Sequence, residues 1–303
     1  MRIGTFFNGG DQRLPAVIER VRQARDAGLD SFYFPRLSSW DPITLAAISA
    51  GQVPGIDIGT GVALAQPHHP LTMAAQALTV QAAAAGRFTL GLGLGHRQII
   101  EGSFGYSYDR PARYMREYLT ALQPLLAGTE IDFRGELLTA AGRVTVPSVS
   151  RPSVLVAALG PMMLRLAGEL ASGTITVWAG PEYLGEHIVP TIRRAAEAAG
   201  QPEPRVVATV LVALTADPDT IRDSVAVQFG AAADFASYRS LLDRQGMAGL
   251  AETVVAGDET EVAAAFRAFA DAGVTELLVA PIGTPAEQAR TFEFAATQRR
   301  LLA

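Results

Sequence analysis

The sequence predicts one α/β domain, a (β/α)8 TIM barrel with insertions in its βα loops, and three observations carry that expectation. Eight apolar runs rich in β-branched residues alternate with helical patterns, the signature of repeated βα units around a parallel sheet. The segments Ala27-Gly28-Leu29-Asp30 and Ala272-Gly273-Val274-Thr275 hold equivalent places, each ending a helix just before a strand. The 303 residues are 49% hydrophobic, enough for a barrel-sized core, and no Ser/Gly/Pro-rich or charge-block linker divides them. Residues 1–303 are therefore read as a single barrel domain, closed rather than doubly wound.

The strands are predicted over Ile3 to Phe7, Ser31 to Phe34, Ile56 to Val62, Phe88 to Leu94, Ser153 to Ala158, Gly173 to Trp178, Val206 to Leu214 and Glu276 to Ala280. Between them, Leu14 to Ala27 ends at Gly28, Asp41 caps a helix with Pro42 at its first position, and Pro70 opens another. Pro111 to Leu126 and Pro161 to Ala171 follow, and Asp258-Glu259-Thr260-Glu261 places a capping aspartate three residues before a carboxylate. Two stretches depart from the repeat. The one at about 129–150 reads as an insertion with short strands at Ile131 to Phe133 and Arg143 to Val146, and the one at about 217–257 contains at least two further helical segments.

Composition removes several chemistries. The chain has no cysteine, and all 25 of its basic residues are arginine. Cysteine nucleophiles, disulfides, lysine Schiff bases, lysine-dependent aldolase chemistry and P-loop lysines are excluded. A net charge of -5 without a basic stripe argues against nucleic acid. No apolar run is long enough to span a bilayer, so no membrane partner is expected, and the first residues read as a strand rather than a signal peptide, implying a cytoplasmic location.

In such a barrel the functional residues sit at the C-terminal strand ends. Asn8-Gly9-Gly10 follows the first strand. Pro35-Arg36-Leu37-Ser38-Ser39-Trp40 follows the second, where Arg36 offers a planar donor fork and Trp40 a stacking face, or else a surface arginine and a packing ring. His68-His69-Pro70 invites a metal reading, but the spacing and carboxylate supply do not support one, and His69-Pro70 is expected to set up the next helix. The fourth strand, Gly86-Arg87-Phe88-Thr89-Leu90-Gly91-Leu92-Gly93-Leu94-Gly95-His96, has a bare face at Gly91, Gly93 and Gly95. That face suits either a flat ligand or close approach of another backbone, and the spacing is not the G-x-G-x-x-G dinucleotide fingerprint. The strand delivers His96, Arg97 and Glu101 to the mouth, with Tyr108 beyond; His96 is the histidine best placed to move a proton, or to fix a loop. The fifth strand ends in Ala158-Leu159-Gly160-Pro161, where small residues at a helix N-terminus favour a phosphate group.

Together Ala27-Gly28-Leu29-Asp30-Ser31, Gly59-Thr60-Gly61-Val62, His69-Pro70 with Ala74-Ala75-Gln76-Ala77-Leu78-Thr79, Gly86 to Gly93, Tyr108-Asp109-Arg110-Pro111 and Ala158-Leu159-Gly160-Pro161 resemble the bacterial-luciferase-like superfamily, specifically its F420-dependent oxidoreductases. The resemblance spans essentially the whole chain. It implies a flavin-type tricycle at the barrel mouth and dimerisation, with coenzyme F420 as cofactor and FMN as the alternative. It also implies a bulge after strand three at Gly61 and Val62, often with a non-proline cis peptide, a phosphate turn at Ala158, Leu159 and Gly160, and Gly95 and His96 against the ring. Trp40 keeps its expected place. Several relatives carry an Asp-His pair where this chain has Pro35 and Arg36, which puts a sugar-phosphate dehydrogenase reaction in doubt.

The expected chemistry is hydride transfer between the deazaflavin and a small-molecule substrate, reducing a C=C or C=N bond, with no complete nucleophilic triad in the chain itself. His96 is the first candidate proton donor and Tyr108 the second, Arg36 orients an anionic or carbonyl group, and Arg97, Arg110 and Arg113 are partners for the cofactor's acidic tail. The alternatives are an FMN-dependent monooxygenase of the same superfamily and a non-catalytic flavin-binding relative.

Overall fold

Strand alternation decides which side chains meet inside this molecule. The computed structural model describes residues 1–7, 10–36 and 40–302. In chain order its elements are β1 (Arg2–Phe6), α1 (Leu14–Asp26), β2 (Ser31–Phe34), α2 (Pro42–Gln52), β3 (Asp57–Thr60), β4 (Ala63–Leu64), α3 (Pro70–Ala83), β5 (Phe88–Gly93), α4 (Arg97–Phe104) and α5 (Pro111–Leu126). A hairpin of β6 (Ile131–Arg134) and β7 (Thr139–Gly142) precedes β8 (Ser153–Ala157), α6 (Pro161–Leu170), β9 (Gly173–Val177), the one-turn α7 (Pro181–Tyr183) and α8 (Val189–Ala198). The chain ends with β10 (Arg205–Leu214), α9 (Pro218–Phe229), α10 (Ala236–Gln245), β11 (Val255–Gly257), α11 (Glu259–Asp271), β12 (Glu276–Pro281) and α12 (Pro285–Leu302).

Parallel pairing runs β12-β1-β2-β3-β5-β8-β9-β10 and returns from β10 to β12, so eight strands close a barrel without an edge. The eight are those expected from the sequence. β11 is additional: it adds three residues alongside Val212 to Leu214 at the end of β10. The second strand of the insertion lies earlier than expected: Thr139–Gly142 rather than Arg143 to Val146, and it pairs antiparallel with Ile131–Arg134 in a set register. The buried carboxylate of Glu117 on α5 fixes that register by accepting from the backbone N–H groups of Glu136, Leu137 and Leu138 in the turn.

The barrel interior is layered. At its N-terminal end Arg205 donates to Glu276 (2.7 Å), Tyr33, Thr89 and Ser153, and Ser31 donates to the other Glu276 oxygen. Burial pushes the Tyr33 phenol up to about 12, so it stays protonated. Above this plug lie Leu155, Ile175, Val207 and Leu278, and above them Phe6, Val62 and Ala157. Large side chains face glycines: a Cβ on Gly59 would lie 2.3 Å from the Tyr33 ring.

Between β3 and β5 the pairing shifts. Gly59 faces Thr89 and Ala63 faces Leu92, so one strand carries a residue in excess, a β-bulge at residues 60–62. The Gly61–Val62 peptide is cis, as the resemblance implies; of the expected strand Ile56 to Val62, Asp57–Thr60 is β3, and β4 follows at Ala63–Leu64. Thr60 Oγ1 bridges the gap, donating to the Gly91 carbonyl (2.8 Å) and accepting from the Gly91 N–H (2.9 Å). A Cβ on Gly91 would lie 1.9 Å from the Thr60 carbonyl oxygen, and one on Gly93 would meet Val62 Cγ2 at 2.5 Å. Of the two readings of the bare glycine face, close backbone approach therefore holds at Gly91.

Gly91→Ala should cost about 3 kcal/mol or more, because the obstacle is backbone that cannot rotate away. Gly102→Ala on α4, where a Cβ meets nothing within 4 Å, should be neutral or stabilising by roughly 0.5 kcal/mol. Thermal unfolding of both variants checks this, and equal effects would contradict the packing account.

Candidate active site

The bulge that follows β3 and the C-terminal ends of β5, β8 and β9 surround a cavity of about 290 Å³. Its lining is mostly apolar: Val62 from the bulge, Gly93 to Gly95 from the end of β5, Ala157 and Ala158 from β8, and Ile175 and Val177 from β9. Leu159 and Gly160 close one side where β8 turns into α6. Gly160 is the N-cap of α6 and has open space where a Cβ would project. The positive end of α6 therefore lies at the cavity wall, with no side chain at its N-cap to keep an anion away.

His96, the N-cap of α4, is half-buried and lines the same cavity. Its ring stacks on Phe235 at 4.0 Å between centroids and meets Tyr238 edge-on at 4.8 Å, while Nδ1 lies 3.4 Å from Ser237 Oγ. Burial against these rings pulls its pKa below the ordinary histidine value. At neutral pH the imidazole is uncharged, with one nitrogen carrying a proton and the other able to take one. Tyr108 also lines the cavity, but its hydroxyl donates to the Gly95 carbonyl (2.8 Å) and burial raises its pKa, so its proton is committed.

The structure thus gathers Val62, Gly95, His96, Tyr108, Ala158, Leu159 and Gly160 around one cavity. Other sequence candidates lie elsewhere. Gly61 sits under Phe6 and Ile175, where a Cβ would meet Phe6 at 2.7 Å. Arg97 is outside the lining, pairs with Glu101 and lies over the Tyr108 ring. Trp40 is half-buried and donates to the Gln12 carbonyl (3.2 Å), and Arg36 is exposed beyond β2. Asn8, Gly9 and Leu37 to Ser39 are outside the described residues. Arg110 and Arg113, expected to meet an acidic tail, pair with Glu136 and Glu117. His69 caps α3 by accepting from the Leu71 N–H (3.3 Å), while His68 bonds the Leu64 carbonyl.

Sequence reasoning did not find the α10 side of the cavity, formed by Ser237, Tyr238, Ser240, Leu241 and Arg244. Gln245 docks this helix by donating to the Trp178 carbonyl (3.1 Å) and accepting from the Gly180 N–H (2.7 Å). Arg244 donates to the Tyr183 hydroxyl (3.3 Å), which donates to the Leu159 carbonyl (3.2 Å), so a cation stands beside the phosphate-type turn. The only local signal was the helical pattern of residues 236–245, which does not say which face meets the barrel.

A family model described as luciferase-like monooxygenase matches residues 1–296. The F420-dependent glucose-6-phosphate dehydrogenase of Kineococcus radiotolerans is 28% identical over 283 residues, 84% of each chain. Among solved structures, an F420-dependent secondary alcohol dehydrogenase in complex with an F420-acetone adduct superposes with a TM-score of 0.81 at 16% identity, covering 98% of this chain and 97% of that one. The oxygenating constituent of 3,6-diketocamphane monooxygenase from Pseudomonas putida, in complex with FMN, gives 0.78 at 18% identity over 100% and 98%. At these identities the structural matches establish the fold alone.

His96 should titrate below the ordinary histidine value of ~6.5. Because the unfolded chain then binds the proton more readily than the folded one, this histidine's contribution to stability is present above ~6.5 and is lost as pH falls towards the folded-state pKa. An NMR titration in which the His96 ring has its midpoint above 6.5 would contradict this.

Proposed function

Since the chain belongs to the luciferase-like monooxygenase family, we propose that it is an F420-dependent oxidoreductase that reduces a C=C or C=N bond of a small organic substrate. The observation that carries this reading is the joining, in one cavity, of an apolar floor at Val62, Ile175 and Val177 with the backbone turn Ala158-Leu159-Gly160. A flat ring needs the first and an attached phosphate the second. The residues present therefore fit a ring cofactor with an anionic side chain. When bound, F420 supplies hydride chemistry.

In this reading Val62, Gly95 and His96 hold the ring, and Ala158, Leu159 and Gly160 hold its phosphate, with Arg244 adding positive charge beside the turn. His96 is the proton carrier. Its neutral ring works as a relay: as Nε2 gives its proton to the substrate carbon or nitrogen, Nδ1 takes one from the Ser237 hydroxyl, which is exposed and regains it from solvent. Tyr108 ranks second because its hydroxyl already donates to Gly95. Arg36, exposed at the end of β2, orients a carbonyl or anionic group of the substrate. Pro35 and Arg36 stand where the resemblance places an Asp-His pair, so the substrate is not expected to be the sugar phosphate of the Kineococcus relative. The protein acts as a homodimer in this reading, on the strength of the family resemblance. No helix among the described residues is long and apolar enough to cross a membrane.

Titration of the cofactor-free protein with F420 and, separately, with FMN tests the proposal by fluorescence or heat. F420 should bind at least tenfold more tightly than FMN. The reverse order would move the assignment to oxygen chemistry, and no binding of either would favour a non-catalytic protein. Measured at saturating F420, so that any loss of ring contact at His96 is compensated, His96→Gln should lower turnover about 10²-fold or more and alter the pH profile. Unchanged turnover and pH profile would remove His96 from the mechanism.

A further inference from the structure

The turn that closes the cavity also opens a second hollow. Gly160 lines the cavity, and the next residue, Pro161, lines a groove of about 690 Å³ between α6 and α8 on the outside of the barrel. Arg165 from α6 and Arg194 from α8 both line this groove, as does Thr191. Each arginine is held in the same way: Nε of Arg165 donates to the Pro161 carbonyl (3.3 Å), and Nε of Arg194 to the Pro190 carbonyl (3.1 Å). These bonds leave the terminal nitrogens of both guanidinium groups available. Neither arginine has a carboxylate partner among the described residues, whereas the carboxylate of the groove, Glu169, already binds Arg116 at 2.6 Å.

We propose that the α6–α8 groove is the subsite for the polyanionic tail of the cofactor, with Arg165 and Arg194 binding its carboxylates. The inference rests on the F420 reading above and extends it. The cavity ends at Gly160 and the groove begins at the adjoining Pro161, so a substituent leaving a phosphate held at residues 158–160 would have the groove within one residue of it. The arginines at the start of α4 and α5 are not equivalent: Arg97, Arg110 and Arg113 each have carboxylate partners, so a tail binding there would have to displace Glu101, Glu136 or Glu117. Arg165 and Arg194 carry no such competitor. Both are exposed, so each contact is modest and screened by salt.

The test compares F420 carrying several glutamates with the same phosphate-bearing cofactor lacking them, measured by binding to the wild-type protein and to the double variant Arg165→Gln/Arg194→Gln. In wild type at low ionic strength the long-tailed form should bind about three- to tenfold more tightly, and about 0.5 M salt should abolish the difference. In the double variant the two forms should bind alike, at the wild-type affinity for the tail-less form, which also shows that the variant is folded. An unchanged tail preference in the double variant, or no tail preference in wild type, would overturn the groove assignment while leaving the cofactor reading intact. Failure of both forms to bind wild type would overturn the cofactor reading and the tail site together.

Discussion

The contact on which the barrel mouth depends is the one between Thr60 and Gly91. A bulge leaves two residues facing one, and somewhere the ladder must lose its backbone bonds. Here the Thr60 hydroxyl replaces them, giving one bond to the Gly91 carbonyl and taking one from its N–H. The two chains approach so closely that position 91 has no room for a side chain. With that approach in place, Val62 turns into the barrel over Gly93, and an apolar shelf is set at the depth where the cavity begins. Both features belong to one local arrangement.

Around that shelf the cavity is assembled from parts far apart in the sequence. β8 supplies a helix N-terminus, β5 ends in His96, and α10 covers both. The α10 contacts have an electrostatic consequence, because enclosing His96 between Phe235 and Tyr238 removes water and favours the uncharged ring. Burial likewise pushes the Tyr238 phenol up to about 12, so next to His96 the covering helix offers a hydroxyl group and no charge. Positive charge is supplied at one edge by Arg244 and the helix end. This division suits a ligand with a neutral ring and an anionic chain, the shape assigned to the cofactor here.

Much of the framework was legible in the sequence, for reasons that follow from period and punctuation. The eight barrel strands followed from β-branched runs, and Asp41, Pro70 and Asp258 marked helix starts because capping and proline geometry act locally. The face of β5 was legible as bare, yet its occupant at Gly91 was not, since the approaching Thr60 carbonyl belongs to another strand. The second strand of the insertion lies at Thr139–Gly142 rather than Arg143 to Val146 because Glu117, about twenty residues away in sequence, holds the turn at residues 136–138 through backbone N–H groups. The site was legible where it lies on strand ends and hidden where α10 contributes, because docking through Gln245 leaves no pattern in the local sequence. Nor does the sequence show that the carboxylates of Glu101, Glu136 and Glu117 occupy Arg97, Arg110 and Arg113, because Arg110 and Glu136 meet only in the folded chain.

A crystal structure of the protein with bound F420 is the most direct measurement. The account predicts the ring against Val62 with His96 at its edge and the phosphate within hydrogen-bonding distance of the backbone N–H groups of Leu159 or Gly160. A ring seated away from Val62, or a phosphate bound elsewhere than the β8–α6 turn, would contradict it.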